Sequence, residues 1–273
     1  MQHLLLIVTG AAVAAALPVT LRSQSPSTVG REEWITTNRV VEWEATKTAI
    51  IVVDMWDKHW CTTATTRVAE LATPMNATLE SARKLGVQVV FAPSDVTSFY
   101  ASEPARLRTV ALPRAELPPR KNLTIPPFPL STATNYGCDV PDKPYAAWKR
   151  QIATLAIDSD RDFIIAADLP GDADAGEREL HDIAAHLGLE NLIYMGVHEN
   201  MCIMERPFAI ERVSSLGWPR AKIAVARELV DAMYTPLDAP YVPHATGVEL
   251  QTGYIERFWG NSVSMYDLLV PEY

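Results

Sequence analysis

Thr48-Ala-Ile-Ile-Val-Val-Asp54 is a continuous apolar run, mostly β-branched, ended by an acid. A strand buried on both faces of a parallel sheet has this pattern. Val87-Gln-Val-Val-Phe-Ala92, Asp162-Phe-Ile-Ile-Ala-Ala167, Asn191 to Val197 and Lys222-Ile-Ala-Val-Ala226 repeat it. Between them the apolar spacing changes to that of helices. Thr66 to Leu85 carries Val68, Leu71, Met75, Leu79 and Ala82 and stops at Gly86, and Glu177 to Leu187 stops at Gly188. A further helix is predicted after Cys202 towards Ser215, another over His244 to Phe258, and a last strand over Ser262 to Leu269. Strand and helix alternating at this pitch predict an α/β fold, a mainly parallel, doubly wound sheet of about six strands with helices on both faces. Glu33 to Glu44 is predicted to add a hairpin or edge strand.

Two segments depart from this rhythm. Asp95 to Lys149 holds nine of the chain's 20 prolines and little periodicity, which predicts a long excursion acting as a lid, with a helix near Ser98 to Val110. At the N-terminus, Leu4 to Ala16 is apolar and small, and Ala14-Ala-Ala16 resembles a signal-peptidase site. Residues 1–30 therefore read as a signal peptide and polar leader, with 31–273 as a single domain. Export to the periplasm or medium is expected, with no stable membrane insertion after cleavage. An uncleaved N-terminal anchor is the alternative, because the apolar stretch can be extended to Leu21 and the n-region has no Lys or Arg.

The composition, 48% hydrophobic and 21% charged, fits an ordinary globular protein. A formal charge of −9 excludes a basic nucleic-acid-binding face. Of three cysteines, Cys61 and Cys138 are the expected bridge in an oxidising compartment, leaving Cys202 free; three reduced thiols is the other reading. Asn76-Ala-Thr78 and Asn122-Leu-Thr124 match the glycosylation pattern.

The candidate chemistry centres on Cys202. It follows the run Asn191 to Val197 and the turn His198-Glu-Asn-Met201, where a helix is expected to begin. A helix N-terminus favours thiolate. Pro207 limits this: if the main helix starts only at Arg206, Cys202 sits on a separate short turn and gains less from the dipole. Ligands of open parallel sheets bind beyond the carboxyl ends of the strands, which puts Asp54 and Cys202 on one rim. Asp54 is suited to move the thiol proton. Trp56, His59 and Trp60 are candidate substrate contacts, as are Glu199 and Asn200. Asp57, His59 and Cys61 alternate as metal ligands would, but a pocket wall with a hydrogen-bonded His59 is the preferred reading, with neither metal nor cofactor expected. His181, His186 and His244 suit surface or helix-packing roles.

Asp54 after the first strand and Gly196-Val-His-Glu-Asn-Met-Cys202 after the fourth resemble the isochorismatase-like cysteine hydrolases, which include nicotinamidases and related amidases. The resemblance covers roughly Thr48 to Val230. It implies an Asp, Lys and Cys triad hydrolysing C–N bonds in small amides. It also implies a cis peptide at Val197–His198 that turns the N–H groups of His198 and Cys202 towards an oxyanion, and it makes a homo-oligomer plausible. The sequence departs from the family at Glu199, in place of Thr, and at Trp56, in place of Gln. The lysine expected after the third strand is absent, since Asp162 to Ala167 runs into Asp168-Leu-Pro-Gly-Asp172. Lys149 or Arg150 is the favoured substitute, ahead of Lys58. Without a cation, a non-catalytic binding or interaction protein on the same scaffold is the competing expectation.

Overall fold

In a computed structural model, residues 15–28, 33–144, 155–167, 169 and 171–269 are described. The strands are β1 (Ala16–Pro26), β2 (Trp34–Glu44), β3 (Thr48–Val53), β4 (Gln88–Ala92), β5 (Phe163–Ile164), β6 (Asn191–Val197), β7 (Ile223–Asp231) and β8 (Asn261–Val263). The helices are α1 (Thr62–Leu85), α2 (Pro104–Ala111), α3 (Ala175–Leu187), α4 (Cys202–Glu205), α5 (Ile210–Ser215) and α6 (His244–Phe258). The strands form one eight-stranded sheet in the order β2-β1-β8-β7-β6-β3-β4-β5. All pairings from β8 to β5 are parallel, and the β1–β2 hairpin is antiparallel. The mainly parallel α/β sheet predicted from the apolar runs is the architecture observed, with two antiparallel strands added at one edge.

Strand alternation sorts the apolar side chains into two cores. Ile50 and Val52 join Val68, Met75 and Leu79 of α1 on one face. Ala49, Ile51 and Val53 join Leu180, Ile183, Val213 and Ile255 of α3, α5 and α6 on the other. Each β3 position is 0% exposed, as a central strand covered by helices requires.

The predicted leader needs correction at its second half. Ala16–Pro26 is a strand of the sheet, not a segment outside the fold. Leu17, Val19 and Leu21 alternate with more exposed positions and are buried in the α1-side core, and β1 pairs with β2 along its full length. The apolar stretch that extended the targeting segment to Leu21 thus has strand period 2 at its end. Residues 1–14, with most of the predicted signal peptide, lie outside the described residues. No helix among the described residues is long and apolar enough to cross a membrane.

Other boundaries differ locally. The predicted last strand is cut to Asn261–Val263 and followed by a 3-10 turn, Met265–Leu268. The segment after Cys202 is broken into α4 and α5 around Pro207, whose ring cannot continue the helical ladder. The Pro-rich excursion behaves as a strap more than as a lid. Arg106 makes two bonds to Glu179 (2.6 and 2.9 Å), Arg114 bonds Asp182 (2.9 Å) and Arg120 bonds Glu177 (2.7 Å), so the strap runs across α3. It passes α6 at Pro126, whose carbonyl accepts the Tyr254 hydroxyl. Only then does it return to the strand ends, where Cys138 is disulfide-bonded to Cys61 as expected.

One prediction tests β1. Leu21→Ala should lower stability by about 2–5 kcal/mol, as deletion of a fully buried aliphatic side chain does, measured by urea denaturation. An unchanged midpoint would mean that the working fold lacks this strand.

Candidate functional site

The chain moves outward from β3 to β4 and β5, then returns to place β6 on the other side of β3. The strand order therefore reverses between β3 and β6, and at such a switch point the loops part and leave a crevice. Asp54 leaves β3 into that crevice and His198 to Cys202 leave β6 into it. Gly196 makes the approach possible: a Cβ there would lie 2.2 Å from the Val53 carbonyl oxygen, and its φ is +106°. The Val197–His198 peptide that follows is cis. Asp54 and Met55 both hold left-handed φ values, +60° and +66°, turning the chain sharply at the strand end.

The Asp54 carboxyl is fully buried. Its Oδ1 accepts the Ser94 N–H at 2.6 Å, from the end of β4, and Oδ2 is a buried acceptor with no conventional hydrogen bond. Burial pushes its pKa up to about 6, against the pull of the Cys202 thiol, Ser94 and the positive charge of Arg206. The predicted partnership of Asp54 and Cys202 is thus present in space. The predicted thiolate is not. Burial first, and then the negative charge of Asp54, push the Cys202 thiol up, and Arg206 opposes them. The correction has a local cause: α4 is only four residues long, so its aligned peptide dipoles are few. Cys202 is partly exposed and is the free cysteine.

Behind Cys202 the loop is tightly tied. The His198 carbonyl accepts from Met201 (3.0 Å) and Ile203 (3.2 Å). Among the described residues no hydrogen bond engages the backbone N–H of His198 or of Cys202, so both donors remain for a ligand oxygen.

Two proposed substrate contacts are corrected. Asn200 faces away from the crevice and clamps the loop to the end of β7, donating to the Met233 carbonyl and accepting the Met233 N–H, both at 2.9 Å. Glu199 is 0% exposed and turned towards α6, its carboxyl oxygens 2.9 and 3.1 Å from the Thr252 hydroxyl. Burial raises its pKa well above the usual carboxylate range, and the nearby charges of Asp231 and Glu256 add to this. Trp56, His59 and Trp60 do gather at the rim, but as an inner wall. They are 1%, 5% and 7% exposed, and Trp56 stacks on His59 at 4.7 Å. His59 Nδ1 accepts the Cys61 N–H (3.2 Å), as the hydrogen-bonded reading required, and burial lowers its pKa to about 3. The Asp57, His59 and Cys61 ligand set loses its sulfur to the disulfide.

Lys149 and Arg150, the favoured cations, lie outside the described residues, as does Asp168. Lys58 is exposed. Arg206, which the sequence reading passed over, is the cation whose charge acts on both Asp54 and Cys202. Its Nη2 is 3.6 Å from the Asp95 carboxylate. The signal was its position four residues after Cys202, next to Pro207. Asp231 was also missed. It ends β7 as Asp54 follows β3, and accepts from Arg67 Nε (2.9 Å) while lying 2.8 Å from His244 Nε2. Burial works against its ionisation, but these partners prevail and hold its pKa at about 2. His244 thereby has the partner that sequence could not name. Asp95, with Thr97, Ser98 and Leu169, also lines a cavity of about 710 Å³.

No family model matches the chain, and no curated protein matches its sequence. Among solved structures, it is similar to a cysteine hydrolase from Pseudomonas syringae pv. phaseolicola 1448A, at 16% identity over 81% of this chain and 90% of that one, TM-score 0.49. An isochorismatase family protein from Burkholderia thailandensis aligns at 10% identity over 81% and 93%, TM-score 0.45. An N-carbamoylsarcosine amidase from Thermoplasma acidophilum aligns at 15% over 80% and 96%, TM-score 0.42. At these values the likeness carries no functional inference.

The burial of Glu199 yields a prediction with a definite sign. Its folded pKa is raised, so the folded state loses stability as pH rises from the unfolded carboxyl value of about 4.3 towards the folded one. Glu199→Gln removes this loss. Relative to the wild type, the variant should become more stable between pH 4 and pH 8 in urea denaturation. An equal difference at both pH values would contradict a neutral buried Glu199.

Proposed function

We propose that this chain is an exported isochorismatase-like cysteine hydrolase that cleaves a small amide or related C–N bond. The observation that carries the proposal is the fully buried Asp54 carboxyl, held by the Ser94 N–H at 2.6 Å beside the Cys202 thiol at the switch point of the sheet. Burial pushes the carboxyl pKa up to about 6 and that of the thiol above its usual range. A neutral thiol next to an ionised carboxylate is the resting state of a general-base-activated nucleophile.

The reaction follows from that pairing. Asp54 takes the thiol proton as Sγ forms a bond to the substrate carbonyl carbon. The electron pair of the carbonyl moves to oxygen, and the N–H groups of His198 and Cys202 receive it. When the pair returns, the C–N bond breaks and Asp54 gives its proton to the departing nitrogen, releasing ammonia or an amine. Asp54 then takes a proton from water as the water oxygen attacks the thioester. The acid product leaves, and the proton returns to sulfur. Each cycle consumes one water and regenerates both groups. The inner wall of Trp56, His59 and Trp60 stiffens the rim around a small substrate.

p-Nitrophenyl acetate is a generic acyl donor that tests the nucleophile without knowledge of the natural substrate. We expect an acetyl group on the Cys202 peptide by mass spectrometry and turnover of the ester, both lost in Cys202→Ala. Asp54→Asn should slow acylation by about 10²-fold or more, with the acid limb of the wild-type rate profile centred near pH 6. Ester turnover that is equal in C202A, or a Cys202 that stays unacylated, would leave a non-catalytic binding protein as the better account.

A further inference from the structure

We propose that Arg206 is the cation of this site: its guanidinium, held by Asp95, stabilises the negative charge shared between Asp54 and Cys202 as the thiol is activated. The inference rests on Cys202 being the nucleophile and names a residue that acts directly on its sulfur.

Three observations converge on Arg206. First, it follows the α4 turn, four residues after Cys202, and i,i+4 neighbours share one side of a helical turn. Second, its guanidinium is anchored 3.6 Å from Asp95. Asp95 directly follows Ser94, whose N–H holds the Asp54 carboxyl at 2.6 Å, so the anchor and the acid hang from adjacent residues of one turn. Asp95 holds a left-handed φ of +61°, an uncommon conformation for a residue with a side chain. Third, Arg206 acts favourably on the charged forms of both Asp54 and Cys202.

The chemistry calls for such a group. When Asp54 accepts the proton, the single negative charge passes from carboxylate to sulfur. A cation within reach of both atoms stabilises it at either end of the transfer, and so lowers the cost of the thiolate without requiring that thiolate at rest. Arginine is suited to this position because its planar guanidinium stays charged at any working pH and can engage Asp95 on one edge while another faces the sulfur. Asp95 also lines the 710 Å³ cavity, which puts the ion pair at the border between the buried acid and the open space.

Alkylation by iodoacetamide tests this independently of any acyl transfer, because its rate follows the ionised fraction of the thiol. At pH 8 the rate constant for the Cys202 peptide should fall about tenfold in Arg206→Gln, and the rate–pH curve should move up by about one unit. Arg206→Lys should stay within about twofold of the wild type. An unchanged rate in R206Q would overturn the assignment. Should R206Q fail to fold, R206M decides in its place: the same fall of about tenfold is expected, and an unchanged rate overturns the proposal. A response of alkylation to Arg206 in a protein whose Cys202 is never acylated by p-nitrophenyl acetate would uphold the electrostatic coupling and reject the hydrolase.

Discussion

The close approach of β6 to β3 at Gly196 governs the site. A strand that carried a side chain there would collide with the Val53 backbone. The loop from His198 to Cys202 would then be displaced from the Asp54 turn. Residues 148 positions apart in sequence come together because two parallel strands stay in register as far as the pair Val53 and Gly196, at the end of β3 and one residue short of the end of β6. The crevice is a consequence of topology, and the chemistry depends on how closely its two walls are held.

Around this approach, acids are distributed by environment. Asp54 is buried with few donors and its pKa is raised to about 6, Asp231 is buried with an arginine and a histidine and its pKa is held at about 2, and Glu199 is buried with a single hydroxyl and its pKa is pushed well above the usual carboxylate range. All three lie at the ends of adjacent strands. Their different charge states come from the hydrogen-bond donors each one meets, which decide whether burial or pairing dominates. Asn200 fixes the loop between them by a reciprocal pair of bonds to Met233, so the charges are held at set distances.

The central sheet was legible because β3 and β6 are buried on both faces and contain almost nothing but apolar side chains. Asp54 and Cys202 could be placed together for the same reason, since both follow such strands. The β1 strand was harder to see. Leu17, Val19 and Leu21 continue an apolar run that a targeting segment also explains, and only the pairing with β2 separates the two meanings. Glu199 and Asn200 were misread because polarity in a loop beside a nucleophile suggests ligand contact. Sequence gives no side-chain direction in an irregular turn, and here both point back into the scaffold. Arg206 escaped notice for a different reason: attention fell on the strand where a lysine was expected, whereas Arg206 follows the short α4 turn that begins at Cys202.

A thiol held neutral has a chemical consequence beyond catalysis. Thiol–disulfide exchange and oxidation to sulfenic acid both begin from the thiolate. Cys202 belongs to the same rim as the Cys61–Cys138 bridge, with Met201 packed beside that bridge. Burial and the charge of Asp54 disfavour that thiolate at Cys202, which works against exchange with the neighbouring cross-link and against oxidation by peroxide. The same placement lets a free thiol and a disulfide share one rim of the sheet.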